Sequence, residues 1–250
     1  MNIKYLLITL ISYLRRKDKR YLISEAVAQK GRKGIEIGGP SSFFNVKGGM
    51  PVYLFASQID GVNFSDDTVW EGHIKRGKNY NYFNNKKGYQ YIAEATDLSE
   101  IPSDTYEFVL SCHSLEHVAN PLKAIYEWKR ILKKGGKLIL VLPEKGNTFD
   151  NNRPFTSLQH LLTDFNNNIG EGDRTHFDEI ISLHNYGRDT GTASVEDFKA
   201  RLLDNSTNRC AHHHVFSLDV VAQMLSYCGF SIEHQQQLPP FHLITVAIKN

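Results

Sequence analysis

Cysteine is scarce: three residues in 250, Cys112, Cys210 and Cys228, far apart and odd in number. That pattern is neither a disulfide framework nor a C-x-x-C metal site, and it suits a reducing, cytoplasmic setting. Long apolar runs are missing too. Ile3 to Leu14 is apolar apart from Lys4, Thr9 and Ser12, short of the ~20 residues that span a bilayer. Its positive cluster, Arg15 to Arg20, follows the run instead of preceding it, so it does not read as a secretory signal. Charge of one sign is also lacking. The formal net charge is +2, which implies no nucleic-acid partner. No repeat or low-complexity tract appears.

What remains is the composition of an ordinary folded domain, 41% hydrophobic and 22% charged, long enough for one α/β unit with an insertion. The N-terminal segment, residues 1–20, reads either as a helix packed on the domain with a solvated basic end, or as an interfacial anchor on an anionic membrane. Further along, apolar stretches alternate with helical spacing. Lys33 to Ile37, Pro51 to Ile59, Tyr89 to Ala93, Tyr106 to Cys112 and Lys137 to Leu142 read as strands. Residues 61–88 read as an irregular excursion. Asn120 caps a helix whose Leu122, Ile125, Trp128, Ile131 and Leu132 recur at helical spacing. Strands alternating with helices predict a parallel sheet. A last helix, Leu218 to Leu225, precedes two strands, Phe230 to Gln236 and His242 to Lys249. Pro239-Pro240 leaves no space between them for a crossover helix, so this pair is antiparallel.

One segment of the first strand carries a chemical signal. Lys33-Gly34-Ile35-Glu36-Ile37-Gly38-Gly39-Pro40-Ser41-Ser42 reads as a buried strand entering a glycine turn, with one acid inside it. Such a carboxylate is costly to bury without hydrogen-bond donors. The turn brings backbone close to whatever sits above the strand end. Alone it is as compatible with a plain turn as with a nucleoside-type cofactor, because the third glycine of G-x-G-x-x-G is absent.

The order of several such features narrows the choice. Ile35 to Ser41 is followed by Asp60, then Asp97-Leu98, then Leu115-Glu116-His117, then Arg130-Ile131-Leu132-Lys133-Lys134-Gly135-Gly136, with an antiparallel hairpin at the end. This resembles the class I S-adenosylmethionine-dependent methyltransferases, over residues 21–143 and 215–249. It looks most like a bacterial, methyltransferase type 11-like branch associated with surface-polysaccharide pathways. The resemblance implies a Rossmann-like sheet of seven strands ending in an antiparallel hairpin, with helices on both faces and a helical insertion after strand 5. The domain plan is then residues 1–20 as an apolar and basic helix, 21–143 and 215–250 as the methyltransferase core, and 144–214 as a cap over the acceptor site. It also implies roles. Glu36, Gly38 and Gly39 would line the methionine part of S-adenosylmethionine, Asp60 would accept from the ribose hydroxyls, and Asp97 with Leu98 would read the adenine. Cys112 and His113 would sit under the sulfonium. S-adenosylhomocysteine would be the product.

Methyl transfer is an in-line displacement, and positioning supplies much of the rate. A hydroxyl acceptor also needs a base titrating near neutrality, which suits histidine. Eight of the 11 histidines fall in places expected near one rim. His117 or His176 is the expected base. Glu144, His160, His184, Arg209, His212 and His213 are the expected acceptor-binding residues. Any one histidine could be a packed core residue or a cap. The polar insertion favours a glycan or nucleotide-sugar type acceptor, and the predicted reaction is O-methylation of a sugar or sugar-linked group of a bacterial surface glycan or its activated precursor. Methylation of a phosphate-type oxygen is an alternative, and so are a nicotinamide oxidoreductase, a metal hydrolase and a catalytically silent interaction subunit. Asp, Glu and His in the insertion could hold a divalent metal bridging a diol, but ligand spacing such as H-E-x-x-H is absent, so no metal site is assigned. The expected location is the cytoplasm, with peripheral membrane contact through residues 3–20.

Overall fold

The computed structural model describes residues 3–189, 191–192 and 194–250. Helix α1 (Ile3–Arg15) leads through a short basic turn to α2 (Arg20–Ala28) and then β1 (Lys33–Ile37). The rest of the sheet is β2 (Gln58–Asn63), β3 (Gly77–Phe83), β4 (Lys86–Ile92), β5 (Tyr106–Cys112), β6 (Leu132–Pro143), β7 (Phe230–Leu238) and β8 (His242–Lys249). Their order across the sheet is β3-β4-β2-β1-β5-β6-β8-β7. The five central strands are parallel; β3 pairs antiparallel with β4, and β8 antiparallel with both β6 and β7. This is the Rossmann-like architecture, with eight strands where seven were expected.

The added strand is β3. Tyr80 and Tyr82, two residues apart, both turn inward and are almost fully buried. Asn84, with φ 49°, makes the tight reversal into β4. The second correction concerns β2. The apolar run Val52-Tyr53-Leu54-Phe55 forms one helical turn, and the strand starts later, at Gln58. Asp60-Gly61, which reads as a turn, is strand interior. A Cβ on Gly61 would lie 2.2 Å from the Tyr80 ring, so the glycine is there for close packing.

Helices cover both faces. On one face α3 (Pro121–Ile131) and α7 (Leu218–Tyr227) bury Trp128, Ile125, Leu225 and Met224 against the sheet. On the other, α2 and the 52–55 turn pack around Phe44, Tyr53 and Phe108. Asn120 caps α3 by accepting from the Lys123 N–H at 3.1 Å. Residues 144–214 carry α4 (Leu158–Asn166), α5 (Phe177–Leu183) and α6 (Val195–Leu203). Their own small core is Phe177, Ile180, Phe198, Leu202 and Ala211. No helix among the described residues is long and apolar enough to cross a membrane.

Candidate functional site

The sheet order reverses between β1 and β5, which opens a crevice at their carboxyl ends. A cavity of about 770 Å³ sits there. Its floor is Ile37 and Gly38 after β1, Val62 and Asn63 at the end of β2, and Cys112 and His113 at the end of β5. Gly38 has φ +79°, and a Cβ on it would lie 2.6 Å from Ser114 Oγ. Only glycine fits both requirements.

Glu36 builds this floor from beneath. Fully buried, its carboxylate accepts from the Tyr53 hydroxyl (2.5 Å), the Tyr80 hydroxyl (2.8 Å) and the Ser41 N–H (3.0 Å). Burial pushes the Glu36 carboxyl up and these three bonds pull against it. Asn63 Nδ2 donates to Gly39 O at 3.1 Å from the other side. The turn therefore continues into a 3₁₀ turn, Ser42–Phe44, instead of a helix. A Cβ on Gly39 would strike the Glu36 carboxyl, so Gly39 is needed by the carboxylate that supports the turn.

A second cavity, about 610 Å³, adjoins the first. The two share Trp70, His113, His117 and His242 as lining. Glu116, His212, Asp189 and Phe149 are among the other walls of the second. His212 Nδ1 lies 2.5 Å from Asp150 Oδ2, and Arg153 Nη1 donates to the other oxygen of Asp150 at 2.8 Å. Burial alone would lower the His212 pKa; the charge and hydrogen bond of Asp150, with the charge of Glu116, together outweigh it and raise it. Asp150 is brought down to about 2, with His212 and Arg153 overcoming burial. Burial pushes Glu116 up to about 7, and its Oε2 is buried without a partner. His113 is pushed down to about 4 by burial and by His242, 3.0 Å away. Burial also drives His117 well below its ordinary value. Both rings are therefore neutral at pH 7, and burial keeps the Cys112 thiol protonated.

Several sequence-predicted residues lie elsewhere. Asp60 is fully interior to β2. It pairs with Lys33 Nζ (3.0 Å) and accepts from the Tyr106 hydroxyl (2.8 Å) and the Tyr89 N–H (2.8 Å), so it cannot reach a ribose. Asp97 is exposed and bonds the Ser99 N–H, while Leu98 is buried in the core. Their loop is held from below, where Glu127 accepts from the Leu98 N–H (2.9 Å) and Arg130 donates to Leu98 O and Ile101 O (both 2.8 Å). Glu144 caps the next turn through the Gly146 N–H. His184 stacks on Phe198 (3.9 Å) and pairs with Asp189. His213 is buried beside Asn205. His160 and His176 lie together, outside both cavities. Arg209 does line the first cavity, paired with Glu94 and Glu171 at 2.5 Å each. The carboxylates at that cavity, Glu71, Glu94 and Glu171, carry no spacing signal in the sequence. Glu116 stood inside the Leu115-Glu116-His117 motif and could have been picked out there.

Residues 49–140 match a family model described as a methyltransferase domain. No curated protein matches the sequence. Among solved structures, an S-adenosylmethionine-dependent methyltransferase from Aquifex aeolicus aligns with TM-score 0.52 at 14% identity, covering all of both chains. A putative one from Listeria monocytogenes gives 0.53 at 14% identity, covering 94% of this chain and all of that one. One from Mesorhizobium loti gives 0.55 at 13% identity, covering 93% and 96%. At these identities the likeness is one of fold.

Proposed function

We propose, from the premise that the chain is a methyltransferase and S-adenosylmethionine its methyl donor, that it O-methylates a sugar of a diphosphate-activated glycan precursor at an anionic membrane surface. The donor fits the first cavity on this chain's own terms. Gly38 leaves space for backbone approach, Glu71 and Glu94 offer acceptors for a diol or an amine, and neutral Cys112 and His113 oppose no sulfonium. When bound, the donor supplies an electrophilic methyl group. The acceptor's sugar then enters the second cavity, its diphosphate lies on the Arg16 and Lys19 rim of the first, and residues 144–214 act as its cap.

In this reading His212 is the general base. Asp150 engages Nδ1 and fixes the tautomer, so Nε2 is the nitrogen left to take the hydroxyl proton as the acceptor oxygen attacks. His117, its ring 4.6 Å from that of His212, orients the acceptor and excludes water.

One observation carries the acceptor assignment. Arg16 and Lys19 line the first cavity and lie in the basic turn that follows the N-terminal apolar helix. On α1, Ile3, Leu7, Leu10, Ile11 and Leu14 are all exposed, a single stripe at helical spacing, while Tyr5, Leu6 and Ile8 pack on the protein. The helix is about 20 Å long, so it can lie in an interface but not cross it. The cations beside the stripe suit anionic lipid and a diphosphate leaving the same surface.

The test is transfer of labelled methyl from S-adenosylmethionine to sugar diphosphates, with and without phosphatidylglycerol vesicles. Transfer stimulated by these vesicles, and lost in Arg16→Ala/Lys19→Ala, supports the reading. Equal rates on neutral sugars without vesicles would overturn the acceptor assignment. Failure to bind S-adenosylhomocysteine in calorimetry would favour a silent interaction subunit. The same cations favour a second reading, methylation of a phosphate oxygen. That acceptor is already anionic, so His212→Ala would leave its rate unchanged.

A further inference from the structure

Behind the second cavity, three histidines and one carboxylate meet. His160 and Asp164 are one turn apart on α4, so they share a face. His176 comes from the N-terminal end of α5 and His214 from the segment before α7. One nitrogen or oxygen from each lies within 4.8 Å of the others. His160 Nε2 is 2.8 Å from His176 Nε2 and 3.2 Å from Asp164 Oδ2, and His176 Nε2 is 3.6 Å from that oxygen. Four ligands at zinc bond lengths of about 2.0 Å in a tetrahedron stand about 3.3 Å apart. The three separations bracket that edge.

The protonation pattern also points inward. Asp164, nine-tenths buried, has an Oδ2 that accepts no hydrogen bond despite three imidazoles within 3.6 Å. His176 Nδ1 lies 3.3 Å from Asp173 Oδ2, whose carboxylate is steadied by the Thr175 hydroxyl at 2.6 Å. That fixes the proton on Nδ1 and leaves Nε2 facing the cluster. His214 Nε2 lies 3.6 Å from the same Asp164 oxygen and 3.2 Å from Ala119 O, and its Nδ1 is buried without a partner. His176 thus hands its second nitrogen to a carboxylate, the arrangement that orients an imidazole on a metal.

We propose that His160, Asp164, His176 and His214 form a structural zinc site. Three imidazoles and one carboxylate fill four positions, which suits a closed tetrahedral ion. The half-exposed His160 ring gives the ion its entry path. The ion clips α4, α5 and the 212–216 segment to the loop after β5. Ala119, bonded to His214 through its carbonyl, donates its N–H to Glu171 Oε1 at 3.1 Å, and Glu171 lines the first cavity. The site stands whichever acceptor the enzyme uses.

The test uses the full-length protein, stripped by dialysis against a chelator and titrated with Co²⁺, then Zn²⁺. The expected result is one Co²⁺ per chain with the visible band of tetrahedral cobalt, displaced by one Zn²⁺. Zinc should raise the thermal midpoint by about 10 °C when present at a thousandfold its dissociation constant. His160→Ala, which trims a half-exposed ring, should keep the far-ultraviolet spectrum and lose both the band and the shift. Asp173→Asn should keep the stoichiometry and weaken zinc about 10- to 100-fold. His73→Ala, an exposed histidine outside the cluster, should behave as wild type. Absence of the cobalt band, or tight stoichiometric binding undiminished in His160→Ala and Asp173→Asn, would overturn the proposal.

Discussion

The run His212-His213-His214 serves two sites that use the same side chain in opposite ways. At the cavity, His212 binds the Asp150 carboxylate through one nitrogen, with Glu116 and His117 close by, and its ring lines the cavity. Two residues on, His214 bonds a backbone carbonyl and joins Asp164, His160 and His176 in a cluster. His117 and His113 belong with the first group, but burial outweighs their neighbours and holds both neutral, His117 bonding the Ala211 carbonyl and His113 the His242 ring. The difference lies in the number of acceptors that converge. One carboxylate beside one imidazole makes a proton carrier; several lone pairs facing one another with no hydrogen between them call for a cation. Histidine density in a sequence therefore marks that chemistry is present without saying which kind.

The largest expected effect separates the two groups directly. His212→Ala should lower kcat about 10²- to 10⁴-fold for a hydroxyl acceptor and leave S-adenosylhomocysteine affinity within about twofold, because His212 lines only the second cavity. His160→Ala in the same assay should cost far less. Parallel rate measurements and calorimetry check both. Equal losses in the two variants would erase the distinction between a base and a clip.

A pH series breaks the comparison in a different place. Glu116, beside His212, has its pKa raised from 4.5 to about 7 by burial. The folded state then holds the proton more tightly than the unfolded one. Its stabilising contribution is complete below about pH 4.5 and is lost as pH rises through 7. At 1.36 kcal/mol per unit this is about 3 kcal/mol. His113, lowered from 6.5 to about 4, acts in the opposite sense, losing stability as pH falls through the same window. The wild-type profile mixes both, so the informative quantity is its difference from Glu116→Gln. Urea unfolding at pH 5 and pH 8 should show the variant gaining about 2.5 kcal/mol on wild type between them. A constant difference would mean that Glu116 is ionised throughout and is no proton partner for the cavity.

Periodic elements were legible because their signal is local. Asn120-Pro121 and the Leu122 to Ile131 spacing place α3 correctly, and Pro239-Pro240 marks the closing hairpin. Contacts made at a distance were not legible. The 52–55 turn is helical because Tyr53 must reach Glu36, and Gly61 is glycine because Tyr80 lies on it. Neither requirement shows within ten residues of its own position. The histidine cluster was half visible: His160 and Asp164 share a helix face in the sequence, whereas His176 and His214 join them only through the fold.

The smallest expected effect sharpens what separates a residue that forms a site from one that builds the wall near it. Asp97-Leu98 occupies the place in the chain where an adenine-reading acid is expected. Yet Asp97 is exposed and spends its carboxylate on the Ser99 N–H, 3.1 Å away. Glu127 and Arg130 hold the loop that follows, and Trp128 Nε1 donates to Ala95 O at 3.0 Å, which fixes the cavity wall. The dipeptide is thus an anchor point for α3. Asp97→Ala should remove one exposed turn bond, costing about 0.5–1 kcal/mol of stability, and should change S-adenosylhomocysteine affinity by less than about twofold. Arg130→Ala should weaken binding more than Asp97→Ala although it is farther from the cavity, because it releases Leu98 O and Ile101 O together. Calorimetric titration of both variants decides the order, and a tenfold loss confined to Asp97→Ala would return that carboxylate to the binding site.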